Sequence, residues 1–193
     1  MKRNCLLALG CMMLLGILVT TGCGGGGGGG GVVPLGPAPT AVALKFRTYS
    51  SVATPAPGIE SVGFRVLLPA GVTVATDPVN SSLTAPGVLK LSGVFATTFK
   101  NISSQTYPRP LQGSYSTAKP AGSGRNAIRI DLLFNASTPA YSFGPGEFLT
   151  VNGTAAAGFV PVKSSFSFDE LIIGGSLGAD ITSNYKFDFT MVR

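Results

Sequence analysis

The sequence predicts an all-β protein built as an antiparallel β-sandwich of jelly-roll type. Three observations carry this. Apolar and polar residues alternate with a period of two, Gly and Pro clusters punctuate the alternating runs, and no window holds a sustained helical stripe. AVALKFR sets Val42, Leu44 and Phe46 on one face, with Lys45 and Arg47 on the other. SVGFRVLL sets Val62, Phe64, Val66 and Leu68 against Gly63 and Arg65. AIRIDLLF sets Ile128, Ile130, Leu132 and Phe134 against Arg129 and Asp131, and YKFDFTMV sets Tyr185, Phe187, Phe189 and Met191 against Lys186 and Asp188. Weaker strands are expected over 72–75, 88–95, 148–155 and 165–173, with turns at Pro86-Gly87, Gly144-Pro145-Gly146 and Gly174-Gly175. Eight or nine short strands of this kind pack as a sandwich with low helix content. Residues 100–126 lack alternation and read either as an irregular loop or as a hairpin with a concealed strand near 111–117.

The first forty residues have a different organisation. Lys2 and Arg3 precede an uncharged run over 5–19, followed by Thr20, Thr21 and Gly22, the layout of a secretory signal peptide over 1–22. The apolar run falls short of the ~20 residues that a membrane-spanning helix needs. Thr20-Thr21-Gly22-Cys23 resembles the lipobox of bacterial lipoproteins, with Thr20 standing where leucine is usual. That resemblance implies cleavage before Cys23 and acylation of Cys23 with chains such as palmitate, leaving the protein exported and held on a membrane by the lipid. It also implies that, in a cell with two membranes, the uncharged Gly24 favours the outer one. The alternative, an ordinary signal peptide, leaves Cys23 as a thiol exposed to an oxidising compartment. Residues 23–39 then form a tether, eight glycines followed by VVPLGPAPT, in which the glycines favour flexible coil and the prolines extended structure. Cys5 and Cys11 leave with the leader, so no disulfide is expected in the domain over 40–193.

Composition excludes several function classes. The chain has no histidine and no tryptophan. Without Lys2 and Arg3 its 14 basic residues become 12 against 8 acidic ones, scattered singly, so no nucleic-acid partner is expected. GGSLG at 174–178 satisfies G-x-S-x-G, but Ser176 has no histidine to activate it and reads as a turn residue. STAK at 116–119 satisfies S-x-x-K, yet Pro120 disfavours helical geometry at Lys119, so Ser116 reads as loop sequence. Asp169 and Glu170, neighbours on one strand, are expected on opposite faces, and Asp131 and Asp188 are expected to balance Arg129 and Lys186. Asp77, Asn80, Asp180 and Asn184 could supply oxygen to calcium, but their spacing matches no EF-hand loop, and no metal or cofactor site is expected. Tyr107 and Tyr115, in the irregular span, are the candidate ligand-binding residues, since sugar platforms stack on exposed rings.

The arrangement of VGFRVLLPAGVTV, NAIRIDLLF, GPGEFLTVNGTA and LGADI resembles bacterial cohesin-like modules, relatives in shape of some carbohydrate-binding modules. The resemblance covers nearly all of 40–193 and implies a jelly-roll sandwich acting as a non-catalytic protein-interaction module at the cell surface, with a dockerin-like surface protein as partner. Polysaccharide binding on the same fold is the alternative, and a hydrolase is a weaker third reading.

Overall fold

The alternating runs form strands that pair entirely antiparallel in two sheets. The computed structural model describes residues 36–52, 57–101, 113–116, 125–133 and 142–193. In chain order the elements are β1 (Thr40–Ser50), β2 (Ser61–Leu68), β3 (Val72–Thr73), β4 (Leu89–Leu91), α1 (Gly93–Asn101), β5 (Ser114–Ser116), β6 (Asn126–Leu133), β7 (Gly146–Ala155), β8 (Ser167–Gly174) and β9 (Tyr185–Val192). One sheet has the order β3-β7-β1-β9, with β4 also against β7, and the other has the order β5-β6-β2-β8. The protein is therefore an all-β sandwich.

Phenylalanines join the sheets. Phe46 of β1 meets Phe64 of β2 with ring centroids 4.9 Å apart, and Phe187 of β9 meets Phe64 at 4.9 Å and Phe168 of β8 at 4.7 Å. Phe148 of β7 stands edge-on to Phe64 at 6.3 Å. Phe46, Phe64 and Phe148 are buried, and Val42, Leu44, Val62, Val66, Ile128, Ile130 and Leu132 extend the core along the same inward faces. The period of two in the sequence selects these faces, because successive side chains on a strand point to opposite sides. Tyr185 closes one end: its hydroxyl donates to the Pro57 carbonyl, and burial raises its ionisation above the ordinary tyrosine value.

The span read as one strand over 88–95 divides into β4 and α1. Val94, Phe95 and Thr97 favour strands by side-chain type, and nine residues hold too few turns for a helical stripe to show. Packing decides instead: Phe95 is buried, and its ring meets Phe143 at 5.0 Å. Gly93 opens the helix with φ +54°, where a β-carbon would lie 2.1 Å from the Glu147 carbonyl oxygen. The concealed strand in the irregular span is β5, three residues within 111–117.

Phe64→Ala is expected to cost about 3–5 kcal/mol, read as a lower urea midpoint with little change in slope. Gly93→Ala is expected to destabilise by more than the ~1 kcal/mol of ordinary propensity effects, because the obstructing atom is backbone.

Candidate functional site

The outward face of the β5-β6-β2-β8 sheet carries five charged side chains in mutual contact. Arg65 and Arg129 are direct cross-strand partners, a pairing that like charges alone would oppose. Three carboxylates reverse the sign. Asp169 accepts from Nε and Nη2 of Arg65 at 2.8 Å each, and Asp131 accepts from Nε and Nη2 of Arg129 through Oδ1 at 3.0 and 2.8 Å. Glu170 bridges the two, with Oε1 2.8 Å from Nη1 of Arg65 and Oε2 3.0 Å from Nη1 of Arg129. The hydrogen bond to Asp169 raises Arg65 above the ordinary guanidinium value, and the one to Asp131 does the same for Arg129.

A bulge makes this convergence possible and corrects the expectation that Asp169 and Glu170 face apart. Opposite β2, the register moves from Ile172 at Gly63 to Asp169 at Arg65, so β8 spends three steps where β2 spends two. Glu170 takes up the extra residue with φ +51°, in the left-handed region. Both carboxylates consequently reach Arg65 on one face.

Gly63 supplies the second feature. A β-carbon there would lie 2.8 Å from Oδ1 of Asp131 and 3.0 Å from Nη2 of Arg129, so the missing side chain lets this ion pair lie across β2. What remains is a groove of about 290 Å³ lined by Ser61, Gly63, Arg129, Asp131, Leu133 and Ile172. Leu133 is 55% and Ile172 54% exposed, so two apolar side chains flank a charged floor.

The residues singled out from sequence are dispersed. Cys23, Tyr107 and Lys119 lie outside the described residues. Tyr115 is half-buried on β5, opposite buried Ile128, and its hydroxyl accepts from Nδ2 of Asn126 at 3.1 Å. Ser116 ends β5, and Ser176 opens a three-residue 3-10 turn in which Leu177 has φ +58°. Oδ1 of Asp77 accepts from the backbone N–H groups of Val79 and Asn80, and Oδ1 of Asp180 accepts from that of Thr182. Among the described residues no three acidic or thiol groups converge as metal ligands. Asp131 pairs with Arg129, as the two-residue spacing predicts. Asp188 departs from expectation and pairs with Lys163 at 2.9 Å, a residue in the 3-10 turn before β8, while Lys186 stands opposite Tyr49.

The Arg65–Glu170–Arg129 bridge was not legible in advance. Its one sequence signal is Gly63, a glycine within a strand, which marks a bulge or a close approach. Comparison with protein-family models, curated proteins and solved structures finds no match to this chain.

The hydrogen bond from Lys163 holds Asp188 below the usual carboxylate range, and those from Thr182 do the same for Asp180. A folded-state value below the unfolded one contributes stability that is present above about pH 4 and lost as pH falls through the folded-state value. Urea midpoints should therefore drop on acidification, and Asp188→Asn should make that decline shallower. Glu170→Gln should cost about 1 kcal/mol or less, with the difference shrinking as salt is raised.

Proposed function

We propose that the protein is an exported, membrane-anchored module, held by lipid on Cys23, whose sandwich binds a partner without catalysis. The groove at Gly63 is the observation that carries the binding assignment. Exposed Leu133 and Ile172 offer apolar area, while Arg65 and Arg129 are fixed in place by carboxylates and lose little freedom on docking. Asp131, Asp169 and Glu170 are each engaged by a guanidinium, an arrangement suited to recognition rather than to proton transfer. The cohesin-like strand and turn pattern favours a protein partner of dockerin-like type at the cell surface. In a cell with two membranes, the uncharged Gly24 favours display on the outer one.

Two measurements test the reading. Intact mass of the mature protein should show acyl chains on Cys23, and Cys23→Ser should release the chain from membranes; a soluble wild-type chain without lipid mass removes the anchor. Binding of surface proteins to the immobilised chain should be lost in Leu133→Asp, Ile172→Asp. Retention of polysaccharide instead, lost in Tyr107→Ala, Tyr115→Ala, would transfer the assignment to carbohydrate binding.

A further inference from the structure

The outward face of the other sheet has a different charge chemistry. Lys45 and Arg47 of β1, Lys90 of β4 and Lys186 of β9 point away from the core, alternating with buried Leu44, Phe46, Leu89 and Tyr185. Lys163 joins them at β9 through Asp188. These five cations stand against two carboxylates, Glu147 and Asp188. Lys45 reaches Glu147 only at 4.0 Å, Arg47 stands in register with Glu147 and Asp188 and helps hold Asp188 ionised, and no carboxylate among the described residues forms an ion pair with Lys90 or Lys186. Arg47 stacks over the ring of Tyr49, 4.6 Å from its centroid, and its Nε has no hydrogen-bond partner. In register, Lys90, Thr150, Lys45 and Thr190 form one row across four strands, so ammonium groups alternate with hydroxyls.

We propose that this face docks on anionic phospholipid headgroups, laying the domain against the membrane that carries it. The charge is complementary, and its form suits a mobile surface. Lysines are compact point charges on flexible stems, unlike the fixed, carboxylate-bound arginines of the opposite face. The cations spread over β4, β1 and β9 in two dimensions rather than along one groove, which matches a planar surface better than a single polyanionic chain. So few unmatched charges bind weakly in free solution. The anchor, which this inference takes from the reading above, removes that weakness: Cys23 is about 17 residues from the start of β1, and a leash of that order sets effective concentrations near millimolar.

The test separates the docking from the anchor. Cys5 and Cys11 lie upstream, so a chain of residues 23–193 has Cys23 as its sole thiol and can be coupled to a maleimide lipid whether or not cells acylate it. This chain keeps every residue of the hydrophobic core and omits only 1–22, and a circular dichroism spectrum of β type before coupling checks that it is folded. Coupled to vesicles containing roughly 30% phosphatidylglycerol, Lys45, Lys90 and Lys186 should react with a membrane-impermeant acylating reagent at least about threefold more slowly than on pure phosphatidylcholine, with the difference abolished by about 0.5 M salt. Mass spectrometry reads each lysine separately. Equal rates on the two vesicles overturn the proposal. Protection by soluble polyuronate but not by phosphatidylglycerol also overturns it, reassigning the face to an anionic polysaccharide.

Discussion

Everything in this domain depends on the phenylalanine seam between its sheets. Residues 40–193 contain no cysteine, so no disulfide joins the sheets and burial takes its place. Phe46, Phe64, Phe148, Phe168 and Phe187 interlock at tilted and edge-on angles, which aromatic quadrupoles favour over an eclipsed face-to-face sandwich. Because β1 and β2 lie inside their sheets rather than at the edges, their contact fixes the two outward faces as well. Arg65 follows Phe64 by one residue and Arg47 follows Phe46. The positions of these two cations are thus set by the buried rings beside them.

The strands were legible because their chemistry is periodic. Val62, Phe64, Val66 and Leu68 declare a face without reference to anything distant, and β1, β2, β6 and β9 fall where alternation puts them. What escaped depends on contacts remote in sequence. α1 exists because Phe95 finds Phe143 and Gly93 clears Glu147, partners about fifty residues away. Lys163 reaches Asp188 because a turn brings it to β9, which no two-residue spacing reveals. The candidate site is harder still: one inserted residue at Glu170 reverses the alternation on which the reading of Asp169 and Glu170 rested.

The two faces hold their cations differently. Arg65 and Arg129 meet carboxylates in fixed forks on the β5-β6-β2-β8 sheet, whereas Lys45, Lys90 and Lys186 lie with Arg47 on the β3-β7-β1-β9 sheet. A guanidinium held by two acceptors presents a surface of defined shape, while a free ammonium adapts to whatever approaches. The net charge of the sequence, +6, conceals this partition entirely.

The bulge at Glu170 also governs how the sheet ends. β8 is an edge strand, and an unbroken edge of eight residues would offer its backbone as a template for a strand of another molecule. The left-handed turn at Glu170 interrupts that row of donors and acceptors midway and twists the strand away from flatness. A flat edge would invite strand-to-strand pairing with any second copy that met it. The residue that aims a carboxylate at Arg129 thus also breaks the edge.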